Sequence, residues 1–235
     1  IEEALERAQS DEHKHYRHSF DMLGEAALTM RDADRYLNAY RSAIEAVSRV
    51  VEQGTSLHAA PSISVKLSAL FPRYEFTQRD RVLAELTPRL LALAVQARAA
   101  NIALTVDAEE SERLELSLEV IQGVANAPEL RGWDGFGLAV QAYQKRALDV
   151  IRWVAKLAGR NVGRINVRLV KGAYWDSEVK RAQERGLRGY PVFTRKANTD
   201  VSYIACAREL LAAGEAIYPQ FATHNAQTVA TIIEL

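Results

Sequence analysis

The feature that most restricts this chain is the side-chain parity of six short segments. These are "HSFDML" (18–23), "SISVKLSA" (62–69), "IALTVDAE" (102–109), "GFGLAVQAY" (135–143), "INVRLVKGAY" (165–174) and "IYPQFATHN" (217–225). Each is rich in β-branched, aromatic or alternating residues, the signature of a strand. Successive side chains of a strand point to opposite faces. Ile63, Val65 and Leu67 therefore oppose Ser64, Lys66 and Ser68, and Leu104 and Val106 oppose Ala103, Thr105 and Asp107. Leu138 and Val140 oppose Gly137, Ala139 and Gln141; Ile165, Val167 and Leu169 oppose Asn166 and Arg168. A doubly wound sheet is covered by helices on both faces and reads apolar on both. One apolar face and one small or polar face instead suit a barrel that packs helices outside and leaves a lined cavity within.

Helical patterns separate the strands, at 32–52, 77–99, 111–124, 144–158, 176–185 and 199–213. Pro88 is expected to kink or split the second, Ser111 to cap the third, and Thr199 or Asp200 to open the sixth. Alternating strand and helix implies parallel strands joined by right-handed crossovers. Neither GxGxxG nor GxxxxGK[ST] occurs, which further disfavours the open nucleotide-binding sheet. The expected fold is α/β, a (βα)8 (TIM-like) barrel reaching about six βα units, in one domain over 1–235 with 1–17 as a helical lead-in.

Thirty basic and thirty acidic residues cancel, so no net basic field points to nucleic acid. A single cysteine, Cys206, excludes a disulfide within the chain and suits a reducing compartment. No apolar run approaches the ~18 residues of a membrane span. The chain starts inside one helical pattern, without Met, and stops inside another, so an excerpt of something longer is expected.

The largest polar residue of each inner face comes late in its strand: Lys66, Asp107, Gln141 and Arg168, joined by Thr223, His224 and Asn225 on the sixth. The C-terminal mouth is where barrel enzymes place their chemistry. Lys66 and Arg168 favour an anionic group, and Gln141 offers both donor and acceptor. Tyr174 and Trp175 add flat apolar surface; Asn225 can cap a last helix whose N-terminus attracts phosphate. Together these suggest a nucleotide-like cofactor beside a small acidic substrate. A single pairing of Asp107 with Arg168 or Lys66 would by itself read as a core salt bridge. Glu25 alone is an ordinary first-turn carboxylate, and "HKHYRH" (13–18) lacks a completing Cys or Asp for zinc, so no metal site is expected. Rival readings are a Schiff-base aldolase using Lys66 or Lys171, a metal hydrolase using His224 and Asp107, and a catalytically weak or inactive ligand-binding scaffold.

"RLVKGAYWDSEVKRAQ", "YPQFATHNAQT", "SVKLSAL", "VDAEESERLELSL", "FGLAVQAYQKR" and "DMLGEAALT" resemble, in order and over nearly the whole chain, the proline dehydrogenase domain family of bacterial proline utilization A. The resemblance implies a distorted (βα)8 barrel with noncovalent FAD. It implies oxidation of L-proline to Δ1-pyrroline-5-carboxylate by hydride transfer to flavin N5, with electrons passed to a membrane quinone. Lys66 matches a lysine that helps hold the proline carboxylate. Asp107 matches an aspartate near the ring nitrogen and a flavin-contacting arginine, and Arg168 matches that arginine, near N5. Tyr174 matches a tyrosine of the proline pocket, Leu169 lines the same region, and Glu25 resembles a glutamate pairing across the entrance.

For the cofactor, Ala108 and Gln141 match contacts to the isoalloxazine. Val170, Lys171, Gly172, Ala173 and Trp175 match positions along the flavin and ribityl phosphate. Thr223, His224 and Asn225 match the turn beside the FAD, and Thr194 and Lys196 an ADP-side segment. The family's last two βα units, with an arginine pair that completes the carboxylate clamp, have no counterpart here. If this were the entire chain, poor folding and negligible activity would be expected. A cytoplasmic homo-oligomer is implied, peripherally associated with the inner membrane, with a fused pyrroline-5-carboxylate dehydrogenase domain and no nucleic-acid partner for this segment.

Overall fold

A computed structural model describes residues 1–22, 26–159 and 163–235. Six strands form one parallel sheet in sequential order: β1 (Ser19–Asp21), β2 (Ser62–Val65), β3 (Ala103–Val106), β4 (Phe136–Gln141), β5 (Ile165–Val170) and β6 (Ile217–Phe221). The helices are α1 (Glu2–Gln9), α2 (Met30–Ser48), α3 (Leu67–Leu70), α4 (Arg79–Ala99), α5 (Leu114–Ala125), α6 (Ala147–Leu157), α7 (Trp175–Glu184), α8 (Lys196–Ala212) and α9 (Ala226–Ile233). Among the described residues, no helix is long and apolar enough to cross a membrane.

The register carries the parity argument from strand to strand. Asp21, Ser64, Thr105, Gly137, Asn166 and Tyr218 stand side by side in one row, and Ala139, Arg168 and Gln220 in the next. Gly137 is required in its row, because a Cβ there would lie 2.3 Å from the Asn166 carbonyl oxygen. The opposite face is apolar: Ile63, Val65, Leu104, Val106, Leu138, Val140, Ile165, Val167 and Leu169 are buried in one core cluster together with side chains of the surrounding helices.

The sheet is curved rather than flat. Arg168 on β5 donates hydrogen bonds to Ser64 Oγ on β2 (2.8 Å) and Ser19 Oγ on β1 (2.9 Å). In a flat sheet, strands four positions apart would lie ~19 Å from each other. That is beyond an arginine's reach, so the polar face must be concave.

Some expected details differ. Pro88 does not split α4, which runs on through it as one helix. The lost backbone hydrogen bond is outweighed by the burial of Leu86, Leu90 and Leu93. Ser111 does not cap a helix; it opens a short 3-10 turn and bonds Glu178. Neither Thr199 nor Asp200 opens α8, which starts at Lys196 with Thr199 buried within it. Strand β2 ends at Val65, so Leu67 enters α3 instead of continuing the alternation.

Candidate active site at the C-terminal rim

Lys66 and Asp107 each follow the last residue of a strand, β2 and β3. That position points both side chains over the concave face. Lys66 is 8% exposed. Its ammonium donates to both oxygens of Asp21 (3.0 and 2.9 Å) and to Asp107 Oδ2 (2.9 Å). The buried Tyr40 hydroxyl on α2 accepts from the Lys66 backbone N–H (3.2 Å). Burial opposes the Lys66 charge, but its hydrogen bonds to the Asp21 and Asp107 carboxylates outweigh it and hold its pKa above the ordinary lysine value. Burial pushes the Asp107 carboxyl up, with Lys66 pulling it down, Asp21 adding to the rise and Arg168 countering it. Burial likewise raises Tyr40, to about 12, so its hydroxyl is neutral.

Arg168 closes the network. Its guanidinium lies 3.6 Å from Asp107 Oδ1 while Ser19 and Ser64 fix its other edge. Two cations and two carboxylates balance at the rim, each within reach of an opposite charge. Such a cluster is costly to bury unless paired, and here the pairing is built in. A lysine serving as a Schiff-base nucleophile must shed its proton, whereas Lys66 is held protonated.

Gln141 ends β4 and joins two rim segments. Its amide donates to the Glu109 carbonyl (2.9 Å) and accepts from Ala173 N–H (3.0 Å). The donor and acceptor seen in the sequence thus hold the β3 exit, with Ala108 beside it, against the β5 exit. The β5 exit runs Val170, Lys171, Gly172, Ala173, Tyr174 into Trp175 at the start of α7. Trp175 is 42% exposed and donates from its indole N–H to the Phe193 carbonyl (3.0 Å). Lys171 and Lys196 converge on one carboxylate, Asp200, at 2.6 and 2.7 Å. Those two hydrogen bonds hold Asp200 below the usual carboxylate range. Thr194 is exposed two residues before Lys196. Asn225 caps α9 as expected, accepting from Thr228 N–H (2.9 Å), and Thr223 Oγ1 accepts from Asn225 N–H (3.1 Å); His224 between them is exposed.

One expectation changes. Leu169 does not line the concave face. Alternation turns it away from Arg168, and it is fully buried in the core. At Gly172 the space a Cβ would take is filled by the Tyr143 ring, 2.4–2.6 Å away, and its φ is +144°. Glu25 lies outside the described residues. The sequence reading missed Asp21, Ser19, Tyr40, Tyr143 and Asp200. The parity of "SFD" in β1 carried a signal for the first two, since Ser19 and Asp21 alternate with buried Phe20.

A curved parallel α/β wall with its charged residues gathered past the strand ends is the architecture of a barrel enzyme. Comparison with known proteins gives the family. The proline dehydrogenase family model matches residues 4–235. The chain is 54% identical, over its full 235 residues, to "Bifunctional protein PutA" of Escherichia coli (strain K12), of which it spans 18%. It is 29% identical over 159 residues to the hydroxyproline dehydrogenase of Bos taurus, covering 65% of this chain and 34% of that protein. A crystal structure of proline utilization A from Bradyrhizobium japonicum superposes with a TM-score of 0.91 at 60% identity, covering 93% of this chain and 22% of that one. The corresponding protein of Bdellovibrio bacteriovorus, inactivated by N-propargylglycine, gives 0.88 at 30% identity, covering 98% and 25%. The chain belongs to the proline dehydrogenase family.

Proposed function

We propose that this domain binds FAD noncovalently and oxidises L-proline to Δ1-pyrroline-5-carboxylate, the first step of proline catabolism. The observation that carries this reading is the Lys66–Asp107–Arg168 network, set at the rim beside the shelf of Lys171, Lys196 and Trp175. That shelf suits FAD. Two ammonium groups over one carboxylate leave a net positive charge for a diphosphate, Trp175 leaves flat indole surface uncovered, and Asn225 sets a helix N-terminus alongside. Bound there, FAD would supply the two-electron acceptor for a hydride from proline C5.

The chain's own residues do the positioning. Lys66 directs a fixed positive charge toward the substrate carboxylate. Asp107 orients both Lys66 and Arg168, and its raised pKa suits an exchange of protons with the substrate amine. Arg168, locked by Ser19 and Ser64, presents a charge that cannot swing away. We assign Tyr174, on the β5 exit with its N–H bonded to the Tyr143 hydroxyl, as a wall of the proline pocket. In the whole protein, we assign transfer of the electrons to a membrane quinone, a fused pyrroline-5-carboxylate dehydrogenase domain, a homo-oligomeric state, and a cytoplasmic location with peripheral contact to the inner membrane. The bifunctional relatives, several times longer than this chain, support the fused arrangement.

The deciding experiment is the absorbance of the purified full-length protein. Flavin bands that bleach on adding proline are expected. A colourless protein that takes up no added FAD overturns the reading.

A further inference from the structure

Resting on that function, we propose that Tyr143 is a positioning residue: it is the template on which the 171–174 segment is shaped, and it thereby sets the place of Tyr174 in the proline pocket. Tyr143 follows β4 by two residues and is 3% exposed. Four contacts tie it to rim segments. Its ring occupies the volume that a Gly172 side chain would need, at 2.4–2.6 Å from the Cβ position. Its hydroxyl accepts from Tyr174 N–H at 3.3 Å. Its own N–H donates to the Lys171 carbonyl at 2.8 Å, and its carbonyl accepts from Phe193 N–H at 2.7 Å.

The geometry explains why the chain turns where it does. A φ of +144° at Gly172 is open to few residues besides glycine. It redirects the backbone out of the strand, so that the chain turns through Tyr174 into Trp175 at the start of α7. The Tyr143 ring fills the concavity of that bend, and its hydroxyl holds the next amide but one. A phenol is needed because it joins a flat apolar face for Gly172 to an acceptor for Tyr174. Burial raises the Tyr143 pKa, which keeps the hydroxyl un-ionised, as this role requires. Ordered loops that carry ligand groups depend on such supports, and a small displacement weakens binding before it harms the fold.

The test is Tyr143→Phe in the full-length protein, read by two independent measurements. Amide hydrogen exchange of the peptide covering 171–175 is expected to speed up about three- to ten-fold, as for the loss of one hydrogen bond. The KM for proline is expected to rise by a similar factor, with kcat within about two-fold and FAD content unchanged. Unchanged exchange overturns the proposal whatever the kinetics show. Faster exchange with an unchanged KM overturns the link to Tyr174 and the pocket. If the parent protein itself oxidises no proline, the proposed function fails instead, and the exchange rates alone decide whether Tyr143 shapes the loop.

Discussion

Replacing Lys66 by Met tests the rim electrostatics directly. The substitution keeps most of the side-chain volume and removes the ammonium that bonds both Asp21 and Asp107. Breaking a fully buried ion pair by deleting one partner costs roughly 3–5 kcal/mol, because a charge is stranded. Here the two carboxylates differ. The Asp21 side chain is 47% exposed and can hydrate, so it adds little. Asp107 is 17% exposed and, among the described residues, keeps Arg168 at 3.6 Å as its remaining opposite charge. The net cost is therefore about 2–3 kcal/mol, or a fall of about 4–12 °C in Tm for a domain this size.

The pH dependence has a definite sign. In the parent, the Lys66 ammonium has a raised folded pKa, so its contribution is complete below the ordinary lysine pKa and is lost only as pH rises through the elevated value. Stability from this group is therefore flat from pH 5 to 8. In the variant, Asp107 loses its main opposing charge and its carboxyl pKa, already raised by burial, climbs further. The folded state then holds a proton that the unfolded state has released, so stability falls as pH rises through that window. The Lys66→Met deficit should be larger at pH 8 than at pH 5, and adding Asp107→Asn should recover most of it. Thermal unfolding at the two pH values measures both, and the proline KM should rise strongly alongside. A variant that melts within about 2 °C of the parent at pH 8, or one that Asp107→Asn does not rescue, refutes this account of the rim.

Two further substitutions probe the frame around the site. Gly172→Ala puts a methyl into the Tyr143 ring at a positive φ, and should cost roughly 2–5 kcal/mol in thermal unfolding; a parent-like Tm would show that the bend relaxes freely. Glu178, 4% exposed on α7, accepts from Ser111 N–H (2.5 Å) and Ser111 Oγ (2.6 Å). Glu178→Ala should lose about 2 kcal/mol by stranding a buried N–H, and Glu178→Gln well under half of that, since an amide can accept from the N–H and donate to the hydroxyl; equal losses would mean that charge, not hydrogen bonding, sustains the contact.

The sequence made the sheet legible because each strand repeats one physical rule. Side chains alternate, the helix-covered face must be apolar, and the late polar residues must then share the concave face. That reasoning located Lys66, Asp107, Gln141 and Arg168, and the order of pairing confirmed their strands as neighbours. The same rule, applied to β5, already placed Leu169 on the outer face; only the family resemblance had drawn it toward the substrate. Strand β1 shows the limit of the method from the other side. Ser19 and Asp21 alternate with buried Phe20, but three residues give no rim position, and their role shows only when the sheet curls and brings them across to Arg168 and Lys66.

What stayed hidden depends on pairs that no local pattern encodes. Asp200 is an ordinary helix carboxylate until α8 sets it between Lys171, 29 positions earlier, and Lys196. Glycine in "VKGAY" signals a special backbone, yet nothing nearby says what presses against it. The answer is a tyrosine just past the end of the preceding strand, brought there because β4 and β5 pair in register, with Gln141 beside Val170. Two residues past that pair the strands have ended, and Tyr143 and Gly172 meet where hydrogen-bonded sheet gives way to loop. The chemistry of this rim is thus set by strand register, which fixes which exit loops touch. A one-residue slip between β4 and β5 would send Gln141 outward, part Tyr143 from Gly172 and undo the site while leaving the hydrophobic composition untouched.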